Sequence, residues 1–144
     1  MKIRLAKSDD YSVVKNLLEE DFSFSANEDD FINYLKNHNI LLLSKNNKDL
    51  ACAIYELHHD IFANRKVLFV RYLCVKSDFR GKGIGKALID KIKQIANDLK
   101  VDAIELTCAD FRQNSHEFYL TNDFSVKKTK IFICENFKKM WWGG

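Results

Sequence analysis

The stretch LFVRYLCVKSDFRGKGIGKALIDKIKQIANDL, Leu68 to Leu99, decides how the rest of the chain is read. Its first eight residues, with Val67 before them, form an apolar run of strand character, Val67 to Val75, rich in β-branched and aromatic side chains. Gly81, Gly83 and Gly85 then place three glycines within five residues. From Ile84 the apolar residues Ile84, Leu88, Ile92, Ile95 and Leu99 recur at spacings of three and four, with Ala87 and Ala96 on the same face. Lys86, Asp90, Lys93, Asn97 and Lys100 fall opposite, which is the pattern of a helix with one buried stripe. A strand, a glycine turn and a helix amino-terminus together suit a phosphate-bearing ligand. Glycine lets the backbone come close, and the helix end presents amide groups and positive potential.

Upstream, Lys2 to Ala6 alternates polar and apolar residues as a half-buried strand does. Ser8, Asp9 and Asp10 supply helix-capping chemistry ahead of Val13, Val14, Leu17 and Leu18, predicting a first helix over 9–20. Asn27 to Asp30 caps a short second helix carrying Phe31, Ile32, Tyr34 and Leu35. The intervening loop, with Phe22 and Phe24, either borders a cleft or staples onto the core. Ile40 to Ser44 and Leu50 to His58 read as a hairpin around the polar turn Asn46–Asp49. Downstream of the long helix come a strand over 102–108, a loop over 109–114, a short helix over 115–120 and a final strand over 125–134. The expected order is β-α-α-β-β-β-α-β-α-β. It describes an α/β sandwich around a mixed, mostly antiparallel sheet flanked by helices, in one domain over 1–144.

At 144 residues, 47% apolar and 30% charged, the composition is that of a globular domain. The formal charge of +3 lacks the like-charge blocks of a nucleic-acid tail, so no nucleic-acid partner is expected. Met1 to Asp10 has no apolar run of the signal-peptide kind, and no stretch reaches the ~20 apolar residues of a membrane span. Cys52, Cys74, Cys108 and Cys134 have neither CxxC nor metal-ligand spacing, and each lies in an apolar run. They read as buried free thiols, which points to a cytoplasmic protein without a metal.

Two familiar phosphate loops do not fit the glycines. A Walker A loop needs four residues between its glycines and a Ser or Thr after its lysine. Here three residues separate Gly81 from Gly85, and Ala87 follows Lys86. The dinucleotide fingerprint GxGxxG is also unmatched, because the spacing is GxGxG. Arg80-Gly81-Lys82-Gly83-Ile84-Gly85 instead matches the pattern [Arg/Gln]-x-x-Gly-x-[Gly/Ala] in full. With its flanking strand and helix, VKSDFRGKGIGKALID resembles the acyl-CoA-binding motif of the GNAT (Gcn5-related) N-acetyltransferases, and the element order fits that family over nearly the whole chain.

The resemblance implies an acetyl-CoA-dependent enzyme that moves acetyl directly onto a primary amine of a small molecule. Protein acetylation at lysine or an amino-terminus, and a non-catalytic acyl-CoA sensor, stay open beside it. It assigns the cofactor to Leu73, Cys74 and Val75 on the strand and to Arg80, Gly81, Lys82, Gly83, Ile84, Gly85 and Lys86 at the turn. The segment Gln113 to Phe124 resembles the family's carboxy-terminal helix with its Phe-Tyr pair, so Tyr119 takes the place of the tyrosine near the thioester sulfur. Two positions depart from that pattern: Arg112 stands where the family has asparagine, and Asp123 where it has glycine.

In the family, alternate residues of the motif strand face the acceptor, which here selects Phe69, Arg71 and Leu73. Arg71 disfavours a polycationic amine and suits a carboxylate- or phosphate-bearing one. Glu56, His58 and His59 on the neighbouring strand are the candidate bases, with Glu56 preferred. By analogy with relatives a homodimer is expected, with the Trp141-Trp142 tail as a contact.

Overall fold

The computed structural model describes residues 1–137. The chain divides into two compact units, 1–112 and 113–144. The first contains a five-stranded sheet in the order β1-β2-β3-β4-β5, with β1 at Lys2–Leu5, β2 at Asn39–Lys45, β3 at Lys48–Asp60, β4 at Arg65–Val75 and β5 at Ala103–Leu106. Neighbours are antiparallel except for β4 and β5, which run parallel. The expected mixed, mostly antiparallel sheet is therefore present.

Local sequence explains how the strands are joined. Asn46 and Asn47 have φ values of 54° and 62°, the left-handed pair of a type I′ turn, and asparagine tolerates that region better than most residues. The turn closes β2 onto β3 with Lys45 opposite Lys48. A parallel neighbour cannot be reached by a hairpin, so β4 leads to β5 through a helix.

That helix is α3, Ile84–Asp98. Ile84, Leu88, Ile89, Ile92 and Ala96 are its buried residues. The other face of the sheet is covered by α1 at Tyr11–Glu19 and α2 at Glu28–Leu35. There Val14, Leu17, Leu18 and Phe31 pack with Ile40, Leu42, Cys52, Ile54 and Cys74. Asn27 caps α2 by accepting from the Asp30 amide at 2.8 Å, and the Asp30 carboxylate accepts from the Asn27 amide in return.

Asp10 does not cap α1 through its side chain. Instead its carboxylate takes a bidentate pair from Arg4 at 2.7 and 2.9 Å and the Lys7 amide at 2.7 Å. This ties the start of α1 to β1. The Arg4 hydrogen bonds, helped by the Lys7 amide, hold the buried Asp10 carboxyl below its ordinary range despite burial.

The second unit contains α4, Gln113–Thr121. Tyr119 stacks edge-on against Phe118 and Phe124, and the turn after the helix closes with the Phe124 amide on the Tyr119 carbonyl at 3.1 Å. Asp123, standing where the resemblance has glycine, adopts φ 73°. It keeps the left-handed turn at a steric cost that glycine would not carry.

The final strand expected over 125–134 is absent: that segment has no strand assignment. Lys127, Lys128 and Lys130 interrupt its apolar alternation, and the Thr129 amide turns back onto the Lys127 carbonyl at 2.9 Å. Ile131, Phe132 and Ile133 are consequently exposed. Cys134 is exposed as well and Cys108 only half-buried, so the expectation of four buried thiols holds for Cys52 and Cys74 alone. The Trp141-Trp142 tail lies outside the described residues.

Candidate active site

The β4 strand changes character halfway along. Up to Val70 it is paired on both sides, with β3 and with β5, where the last pair is Val70 and Leu106. From there to Val75 it pairs, among the described residues, with β3 alone. At the junction the register slips, so that Tyr55 opposes Val70 while Ile54 opposes Tyr72. Arg71 is thus the extra residue of a β-bulge.

Beyond the bulge the direction of the backbone groups can be read from its neighbours. The Lys76 amide donates to the Leu50 carbonyl at 2.8 Å, so even-numbered residues here turn their peptide groups toward β3. Leu73 and Val75 turn theirs to the other, open edge. The Val75 carbonyl accepts from Arg80 Nε at 3.0 Å on that side. Cys74, although on the same strand, points its peptide at β3 and buries its thiol 3.3 Å from Cys52 Sγ. It braces the strand and presents nothing to the edge.

The glycine turn follows this open edge. Gly81 and Gly83 have φ values of 73° and 81°, which L-residues rarely adopt. A Cβ built on either would meet nothing within 4 Å, so the space over both backbones is open to a ligand. Gly83 caps α3 without a side-chain hydrogen bond, and the first amides of any α-helix have no intrahelical partner. An open cradle at an uncapped helix start fits a pyrophosphate.

The cationic side chains around the turn have partners of their own. Arg80 pairs with Asp21 at 2.5 Å, with Glu20 3.9 Å away. The Lys82 ammonium lies 5.3 Å from the centre of the Phe79 ring, and Lys86 pairs with Asp90 at 2.8 Å.

The bulge also sets what lies on the sheet face beneath α1 and α2. Phe69 faces that side with Glu56. After the slip it is Tyr72 and Cys74, not Leu73, that face it. The alternation expected from Phe69 through Arg71 to Leu73 is therefore broken at Arg71. Tyr72 joins this face, its ring 5.0 Å from that of Phe22. A single Arg71 inside an apolar run does not by itself signal a bulge, which is why the sequence does not mark Tyr72. Phe22 and Phe24 pack against the core, and Arg112 lies over the Phe22 ring at 4.8 Å. Its guanidinium donates to the Asp21 carbonyl at 2.9 Å, fixing the end of α1.

Glu56 is the centre of a polar cluster on this face. Arg71 donates to it through Nε at 2.6 Å and through its terminal nitrogen at 3.3 Å. Tyr34 donates its hydroxyl at 3.2 Å, and His58 Nε2 lies 3.1 Å from Oε2. The Arg71 hydrogen bond is the main reason its carboxyl is pulled down to about 2, against the opposing cost of burial. Burial, reinforced by the Glu56 charge, pushes the Tyr34 hydroxyl up to about 12.

A family model described as "Acetyltransferase (GNAT) family" matches residues 11–124, most of the chain. The chain belongs to the GNAT acetyltransferases. The family is one of acyltransferases that use acetyl-CoA. No curated protein sequence matches the chain significantly. Solved GNAT structures share its fold. A mutant of the BH1408 protein from Bacillus halodurans superposes with a TM-score of 0.80 at 24% identity, over 93% of this chain and 99% of that one. A ribosomal-protein-alanine N-acetyltransferase from Brucella melitensis gives 0.78 at 19%, over 93% and 99%. Glucosamine-6-phosphate N-acetyltransferase from Arabidopsis thaliana gives 0.79 at 18%, over 93% and 97%. At these identities the neighbours speak for the fold.

Proposed function

We infer that this GNAT protein is an acetyl-CoA-dependent N-acetyltransferase acting, as one domain over 1–144, on a primary amine of a small molecule. The observation that carries the reading is the glycine cradle at Gly81 and Gly83, continuous in sequence with the free edge of β4. A cofactor made of a pyrophosphate and an amide-bearing arm needs both: amides for the phosphates and an unpaired strand edge for the arm.

The cradle from Arg80 to Lys86 holds the phosphates, through backbone amides and, once released from their carboxylate partners, the side chains of Arg80 and Lys86. Leu73 and Val75 hold the arm with their edge-facing peptide groups. The bulge beside Phe69 and Arg71 brings the acceptor to the thioester end of that arm. The amine nitrogen attacks the thioester carbonyl, forming C–N and breaking C–S. Tyr119 gives its phenolic proton to the departing thiolate, and Glu56 serves the deprotonation of the amine. Arg71 is already paired with Glu56, so its attraction for an anionic acceptor is weaker than the bare sequence implies.

Thiol release from acetyl-CoA, measured against a panel of amines, tests this directly. Turnover with at least one amine is expected, and Tyr119→Phe should lower kcat by about 10²-fold. Tight CoA binding with no turnover for any amine would make the protein a sensor. Turnover confined to peptide amines would make it a protein acetyltransferase.

A further inference from the structure

Glu56 is well placed to organise the acceptor face but poorly suited to take a proton itself. Oε1 accepts from Tyr34 and Arg71, and Oε2 accepts from Arg71 and lies against His58. Its acceptor sites are in use, and protonation would break the pairing with Arg71. The group that this arrangement prepares is the imidazole beside it.

An ionised carboxylate can only accept, so His58 Nε2 carries its hydrogen toward Glu56, and the neutral ring keeps its lone pair on Nδ1. The same ring stacks on Phe69, with centroids 5.3 Å apart and planes within 13°. Glu56 thus fixes its edge and Phe69 fixes its plane. Phe69 in turn lies 5.9 Å from the Arg71 guanidinium, so the histidine on β3 joins the phenyl ring and the bulged arginine on β4 in one row across the two strands. Half of the His58 side chain is open to solvent, leaving the ring accessible to a substrate. His59 is excluded because successive strand residues point to opposite faces.

We propose that His58 is the proton acceptor for the amine substrate, with Glu56 as the positioning residue that sets its tautomer. The inference rests on the acetyltransferase reading above. The substrate ammonium gives a proton, directly or through one bridging water, to His58 Nδ1. Glu56 stays ionised and holds the resulting imidazolium through Nε2. The freed amine lone pair forms the C–N bond as C–S breaks, Tyr119 protonates the thiolate, the new amide nitrogen gives its surplus proton back to the Tyr119 phenolate through water, and the imidazolium returns its proton to solvent. The charged group against the ring is Glu56 on β3; around that carboxylate stand Arg71 on β4 and Tyr34 on α2, with His38, just past the end of α2, stacked on Tyr34.

The test measures pH profiles of kcat/KM for the best amine found by thiol release, with wild type, His58→Gln and Glu56→Gln, and uses CoA affinity to monitor the fold. In His58→Gln the value should fall about 10²-fold near neutral pH and recover as alkaline conditions deprotonate the amine without help. Its acid limb should disappear, with CoA affinity unchanged. In Glu56→Gln kcat/KM should fall about tenfold near neutral pH with CoA affinity unchanged, and adding Glu56→Gln to His58→Gln should lower it no further, because Glu56 acts only through His58. A wild-type profile in His58→Gln would overturn the role of His58 while leaving acetyl transfer intact. An undiminished kcat/KM in Glu56→Gln, or a further loss when it is added to His58→Gln, would overturn the role of Glu56. A wild type without turnover on any amine would remove both the inference and the reading beneath it.

Discussion

Two arginine–carboxylate pairs in the first unit use the same chemistry for different ends. Asp10 is buried, and its partners are one guanidinium and one backbone amide, from Arg4 and Lys7. Glu56 has a guanidinium too, but its other partners, Tyr34 and His58, are side chains that can exchange protons. The first arrangement is closed and joins β1 to the start of α1. The second is poised beside the strand edge where β4 loses its β5 partner. The neighbours of a carboxylate, more than its own charge, decide whether it serves folding or chemistry.

The largest contrast should appear on removal of each acid. Asp10→Ala leaves Arg4 and the Lys7 amide without their partner, and should cost about 3 kcal/mol in chemical denaturation while leaving the kcat of folded enzyme unchanged. Glu56→Gln should cost only about 1 kcal/mol, since Arg71 and His58 are half exposed and water replaces the lost partner. If both variants lose the same stability, the distinction fails.

Acid titration of unfolding gives a smaller and sharper comparison. Both carboxyls titrate lower in the folded chain than in the unfolded one, so each supports the fold while ionised. That support is complete above the ordinary carboxylate range and is lost as pH falls, for Glu56 down to about 2. Stability of the wild type should therefore decline below about pH 4.5, and less steeply in Glu56→Gln. Identical slopes would show that Glu56 is not held ionised by the fold.

Much of this was legible in the sequence because it is local. Period-two alternation gave β1, bounded apolar runs gave the strands that follow, the Asn46-Asn47 pair gave the hairpin, and the spacing of Ile84, Leu88 and Ile92 gave α3. The glycine pattern gave the family. What the sequence did not show depends on register and on long-range partners. The slip at Arg71 moves Tyr72 onto the acceptor face, and no local pattern encodes it. The Glu56–Arg71–His58 cluster joins residues on two strands, and its geometry arises only when those strands pair. The segment 125–134 fails for the opposite reason: it is apolar enough for a strand, yet it carries no strand assignment.

The central claim is that the open glycine cradle binds the phosphates of CoA. Gly83→Val tests it most directly, because its side chain would enter space that the protein leaves empty, at a cost of about 1 kcal/mol in backbone strain. Calorimetric titration with CoA should show wild-type binding and a loss of at least tenfold in the variant, with its fold retained by circular dichroism. Equal affinity in the two proteins would contradict the assignment.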